Sequence, residues 1–410
     1  MKKITAFKLL LLSILFIGCK QSNNLPNGIW RATLKTESGV EIPFNFELSD
    51  TSGTKVIRIF NGKERIKVDE ITISEDSILI RLPLFDSEIR AIKTNKGLSG
   101  KWIKHLTDKS VMMDFEAKPG LDWRFPDAKP NEKLTVSGRW TTVFIGSEGK
   151  DTTLAVGEFE QSGQKVTGTF LTTTGDYRFL EGSLSGDKLF LSTFDGSHAF
   201  LFTATVQKNG TISDGLFYSG LTSIEKWTAK KDDKAVLPDA YSLTTLKAGQ
   251  KTIDFSFADL NDQKVSLSDN RFKNKVVVVQ FLGSWCPNCM DETSFMAPFY
   301  EKYKSKGVEV VGLAYERTND INRSKKNIEQ LKKRFNVQYP LLVTGFTNKE
   351  VLNSMPSLNE FNAFPTTIII DKKGLVRKIH TGFSGPGTGK HYESFVKDFE
   401  AQINALLNES

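Results

Sequence analysis

The chain has 410 residues, 39% hydrophobic and 25% charged, and its 55 basic and 48 acidic side chains give a net charge of +7. At roughly 150 residues per domain this length predicts two or three domains, each able to bury a core. The two signs of charge are well mixed, which gives no support to nucleic-acid binding and only a slight bias toward acidic surfaces.

At the start, Lys2 and Lys3 precede an apolar run from Leu9 to Ile17. That run is well short of the roughly 20 residues needed to span a bilayer, so residues 1–18 read as a signal peptide. Its end, Leu15-Phe16-Ile17-Gly18-Cys19, resembles the bacterial lipoprotein signal, in which a small residue precedes the cysteine that is lipidated. The resemblance implies a lipid anchor on Cys19 and an extracytoplasmic, periplasm-facing location. Plain secretion or an uncleaved anchor is the alternative.

The next 200 or so residues carry an internal repeat. Gly28-Ile29-Trp30 matches Gly138-Arg139-Trp140, Phe85-Asp86-Ser87 matches Phe194-Asp195-Gly196, and Phe115-Glu116-Ala117-Lys118 matches Trp227-Thr228-Ala229-Lys230. All three pairs lie about 110 residues apart, so the landmarks keep register. Short runs such as Ile78 to Leu82 and Lys188 to Leu191 are separated by Gly, Asp, Ser and Asn turns, the pattern of an antiparallel sandwich or small barrel. This predicts a duplicated all-β region, with copies at 26–125 and 134–232, or one larger β domain holding both. Pro126 to Lys133 reads as the linker between copies, and Lys230 to Pro238 as the break before the last domain. The Phe-Asp landmarks read as strand-end turns, where Asp bonds its own backbone. Neither copy shows a catalytic constellation, so placement or partner docking is the expected role.

From residue 250 to 410 strands and helices alternate. A leading hairpin at Phe255 to Phe257 and Val265 to Leu267 is followed by a β-branched run from Val276 to Phe281 that reads as a buried central strand. Trp285-Cys286-Pro287-Asn288-Cys289 joins it to a helix marked by Phe295, Phe299 and Tyr303. A strand at 308–314, a helix around 327–335, a strand at 340–343, a hairpin at 366–370 and 375–380, and a helix at 392–407 complete an α/β core with helices on both faces of a mixed sheet. The basic stretch Arg323 to Arg334 carries Ile328 and Leu331 at helical spacing, the solvated face of an amphipathic helix.

Cys286 is expected at a helix N-terminus, where unpaired NH groups and the helix dipole favour a thiolate, and Cys289 can close a disulfide ring with it. A zinc site would need two further ligands. Cys19 lies in the targeting segment and the four histidines, His105, His198, His380 and His391, lack metal-ligand spacing, so no metal is expected.

The stretch Phe255 to Leu407 resembles the thioredoxin fold, and within it the tethered extracytoplasmic thiol-disulfide oxidoreductases of the TlpA/ResA kind. The hairpin, the Trp285 to Cys289 motif, Glu292 three residues further on and Phe364-Pro365-Thr366-Thr367 carry the resemblance. It implies that Pro365 is a cis-proline facing the dithiol and presenting backbone to a substrate strand. Ordinary thioredoxins carry a buried Asp where this chain has Gln280, which leaves Glu292 as the natural proton acceptor for Cys289. Pro298 stands four residues later than the kink proline usual in this helix.

These readings give a membrane-anchored disulfide reductase in which Cys286 attacks and Cys289 resolves. They imply no cofactor, a disulfide-containing protein substrate, and a membrane thiol-transfer protein as electron donor. A peroxiredoxin-like peroxidase is one alternative, although Val279 and Gly283 stand where that family's loop has Pro and Thr. A binding scaffold with an accessory redox domain is the other.

Overall fold

The computed structural model describes residues 25–51, 53–82, 85–106, 109–126 and 133–409. Cys19, the rest of the signal segment and most of the stretch read as a linker between β copies lie outside the described residues.

Alternating burial builds the first β unit. In Ser110–Pro119, Met113, Phe115 and Ala117 point inward while Met112, Asp114 and Glu116 do not. Nine strands run as an antiparallel meander, and Gly28–Lys35 pairs with both Glu41–Thr51 and Ser110–Pro119, which curls the sheet. Its two edges are the consecutive strands Glu64–Val68 and Glu70–Ile73.

The second unit repeats this path and closes. Gly138–Ile145 pairs with Thr152–Ser162 and Ser223–Lys231, while Thr152–Ser162 also pairs with Lys165–Thr172, which continues the ring through Leu180–Ser185. A two-residue strand, Gly175–Asp176, is appended to Lys165–Thr172. Trp140, Phe144, Phe170, Phe202 and Trp227 fill the interior, and the Phe202 and Phe217 rings stack at 4.3 Å. This is a duplicated all-β region of two barrel-like units.

The units share a core. Phe194, Ala199 and Leu201 of the second belong to the apolar cluster of the first. The Phe194 ring stacks on Phe44 at 4.3 Å and meets Trp102 edge-on at 5.5 Å.

The remaining residues form a seven-stranded mixed sheet with Val276–Leu282 between parallel Val308–Glu316 and antiparallel Thr366–Ile370. Every residue of this strand is buried: Val276, Val278 and Leu282 face one cluster, Val277, Val279 and Phe281 the other. The long helices Pro287–Tyr303, Ile321–Phe335 and Lys390–Asn408 all contribute to the first of these clusters. The opposite face carries the four-residue helix Val351–Ser354 and loop residues such as Ile253 and Phe272, so the helices are less evenly divided than the sequence suggests. Nor is the chain before Phe255 a free tether. Ala240 O accepts from Thr381 N at 3.0 Å and Lys251 O from Val376 N at 2.8 Å, laying this segment along the last strand of the sheet. Among the described residues no helix is long and apolar enough to cross a membrane.

Because Phe194 fills space between the barrels, Phe194→Ala should cost about 3–5 kcal/mol of unfolding free energy in urea titrations. A loss below about 1 kcal/mol would mean that the shared core contributes little.

Candidate active site

The central strand delivers the dithiol to the mouth of the sheet. Pro287 at the first helical position presets the turn, and Cys286 caps the helix, its Sγ accepting from Cys289 N at 3.2 Å. Cys286 Sγ also donates to Phe364 O at 3.6 Å, and the Phe364-Pro365 peptide is cis. Both cysteines are free thiols, Cys286 5% exposed and Cys289 fully buried. Burial, then the hydrogen bond and charge of Cys286, push the Cys289 thiol well up, and the nearby Glu292 carboxylate adds to this.

Glu292 is fully buried in a polar cluster. Thr367 donates to one of its oxygens at 2.7 Å and Gln280 to the other at 2.8 Å, while the Gln280 carbonyl accepts from Tyr339 at 3.0 Å. Burial pushes its carboxyl up to about 7 against these two bonds. Gln280 is therefore a bonding partner of Glu292.

Two neighbours were not singled out from sequence. Glu316, at the end of its strand, accepts from Ser284 N at 2.7 Å and Ser284 Oγ at 2.6 Å, fixing the turn before Trp285. Arg317 lies over the Trp285 ring at 4.4 Å, and the indole donates to Tyr315 O at 3.0 Å. A charge following the apolar run Val310 to Tyr315 at the end of a parallel strand was the available signal, since such strand ends line sites in α/β sheets.

The β units reach this site. Phe85 joins the apolar cluster that contains Cys286 and Cys289. The turn beside Gly175 presses on the motif so closely that a Cβ there would stand 1.8 Å from Asn288 Nδ2. Arg178 donates to Pro287 O at 3.3 Å, Asp291 at 2.7 Å and Glu64 at 2.6 Å, and lies 3.5 Å from Asp195. Asp176 accepts from Gly385 N at 2.7 Å. One guanidinium thus serves three carboxylates, Asp195 buried and Glu64 and Asp291 partly so. Burial pushes Asp291 up to about 7 and raises Asp176, each partly offset by Arg178. Asp195 is also buried, but His198 and Arg178 hold its carboxyl well below the usual range. As its turn predicts, Asp195 caps its own backbone, accepting from Ser197 N at 2.8 Å and His198 N at 2.6 Å. Asp86 pairs instead with Arg323 at 3.1 Å.

A mixed sheet, a buried pair of thiols at the head of a helix and a proline loop against the first thiol define a thioredoxin-fold thiol-disulfide oxidoreductase. The Redoxin family profile matches residues 247–396. The thiol-disulfide oxidoreductase ResA of Geobacillus thermodenitrificans is 31% identical over 139 residues, 34% of this chain and 72% of that protein. ResA of Bacillus subtilis is 29% identical over 156 residues, 38% and 79% of the two chains. Among solved structures, the thioredoxin domain of a thiol-disulfide oxidoreductase from Bacteroides vulgatus is 23% identical, covering 37% of this chain and 99% of that one with a TM-score of 0.28. The chain belongs, through this C-terminal part, to the ResA family of thiol-disulfide oxidoreductases.

The raised carboxyl of Glu292 makes a signed prediction. A group at about 7 when folded and 4.5 when free binds its proton more tightly in the folded state, so it stabilises the fold at low pH. That contribution, about 3 kcal/mol, is lost as pH rises through this window. Urea unfolding of the reduced protein at stepped pH should show wild type losing about that much more than Glu292→Gln, while Asp291 and Asp176 cancel in the comparison. Parallel curves would mean that Glu292 is not raised.

Proposed function

We propose that this chain is a lipid-anchored, extracytoplasmic reductase of protein disulfides working through Cys286 and Cys289. The observation that carries the reading is the asymmetry of the thiols: Cys286 caps the helix and receives the Cys289 amide, whereas Cys289 is fully buried and pushed up. Cys286 thiolate attacks one sulfur of a substrate disulfide, forming a mixed disulfide and releasing the other sulfur as thiolate. Cys289, once deprotonated, attacks Cys286 Sγ, so the substrate gains two electrons and the protein becomes the Cys286–Cys289 disulfide.

Glu292 is assigned the proton of Cys289. A buried carboxyl near 7, close enough to the thiol for its charge to act on it, suits proton exchange at neutral pH. Pro365 is assigned the presentation of backbone to the substrate, a reading supported by the Cys286 contact to the preceding carbonyl. A membrane thiol-transfer protein returns two electrons to the disulfide. Cys19, with its lipobox-like context, supplies the anchor, for which two or more acyl chains are needed.

Cys286→Ser should abolish disulfide reduction, and Cys289→Ser should accumulate mixed disulfides, read as thiol-sensitive adducts on non-reducing gels. Adducts on Cys286→Ser in place of Cys289→Ser would reverse the two roles. Separately, Cys19→Ser should move the exported protein from the membrane to the soluble fraction; retention after a salt wash would assign the anchor elsewhere.

A further inference from the structure

The surroundings of the dithiol differ on its two sides. Beside Asn288, the segment Thr173 to Arg178 of the second barrel fills the space: a Cβ on Gly382 would meet Thr173 O at 3.0 Å, and Gly382 N is bonded to Pro365 O at 2.8 Å. Beside Trp285, a cleft remains between the β units and the redox domain. Lys104 and His105 of the first barrel, Ser197 of the second, and Trp285, Arg317 and Thr318 line it.

We propose that this cleft is a substrate subsite selecting disulfides that carry an acidic group, with Lys104 as the specificity-determining residue. The inference rests on reading Cys286 and Cys289 as the reducing dithiol, and it deepens that reading by naming a substrate class. Lys104 Nζ donates to Ser197 O at 2.6 Å and Ser197 Oγ at 3.2 Å, which leaves one of its three protons for a ligand. Its ammonium is paired with no carboxylate among the described residues. Asp195, the opposite charge that acts on it, is already bonded to Ser197 N and His198 N.

The carboxylates of the cleft are engaged. Asp86 lies against Arg323 at 3.1 Å, and Glu316 binds Ser284 and is raised by burial. Burial and the like charge of Arg317 push Lys104 down to about 8. Two cations therefore share a partly desolvated space beside the Trp285 that precedes the nucleophile. A carboxylate entering beside Lys104 offsets this repulsion and gains a charge-assisted hydrogen bond from that lysine's remaining proton. Chemically the step is unchanged: the substrate S–S bond breaks, two substrate thiols form, and the protein dithiol is oxidised to its disulfide.

The test uses pre-reduced full-length protein in single turnover, so that no electron donor is needed. Dithiodipropionate, bis(2-hydroxyethyl) disulfide and cystamine supply anionic, neutral and cationic disulfides of similar size, each rate being divided by that with dithiothreitol. Wild type should favour the anionic over the cationic substrate by about tenfold at low salt, the ratio falling toward one as salt rises. Lys104→Met should bring the low-salt ratio below about threefold, and Lys104→Arg, which keeps the charge, should preserve most of it. A wild-type ratio near one and insensitive to salt overturns the proposal, whether or not the variants fold. Equal slowing of all three substrates in Lys104→Met also overturns it, since Lys104 would then act on the thiolate. Failure of wild type to reduce any of the three, with both thiols titrating as free, sinks the reductase reading itself.

Discussion

The arrangement of this molecule depends on one buried guanidinium. Arg178, from the second barrel, holds Glu64 of the first barrel at 2.6 Å and Asp291 of the dithiol helix at 2.7 Å, with Asp195 of its own barrel at 3.5 Å. A charge taken from water is costly unless its partners stay in place, so such a cluster contributes less to net stability than to fixing one geometry. Here it fixes three parts of the chain at once, and the geometry it fixes brings Gly175 against Asn288. The site is therefore a product of the whole assembly, although both thiols belong to the C-terminal part.

The duplicated Phe-Asp turn shows how repetition was put to two uses. Phe194 inserts into the core of the first barrel, beside Phe44 and Trp102. Its counterpart Phe85 joins the cluster around Cys286 and Cys289. The same local sequence thus supplies an apolar plug twice, each time into a neighbouring unit. The Asp that follows each ring lies near a cation, the buried Asp195 beside Arg178 in one copy and the exposed Asp86 beside Arg323 in the other.

Much of this was legible in the sequence because local patterns encode it. The Val276 to Phe281 run and the Trp285 to Cys289 motif announce a buried strand feeding a helix, and the structure has them as such. The helix at Ile321–Phe335 begins earlier than hydrophobic spacing alone suggests. Its polar first turn hides it from that signal, although Asp320, which accepts from Asn322 N and Arg323 N, was a readable cap. The role of Gln280 was half legible: its departure from the usual Asp pointed to Glu292, but nothing local shows that the two are bonded. Least legible was the docking of the β units on the dithiol. Glu64, Arg178, Asp195 and Asp291 lie far apart in the chain, and each taken alone resembles an ordinary surface charge.

The filled interior of the second barrel has a mechanical consequence. With its rings interlocked and its sheet closed on itself, this unit has little room to deform and moves as one piece. The Gly175 turn and Glu158, which meets His391 at 2.7 Å, ride on the same body. Lifting the turn from Asn288 would therefore strain the distant Glu158 contact and the Arg178–Asp291 pair together. Exposure of the dithiol on that side would accordingly require several separate contacts to be given up.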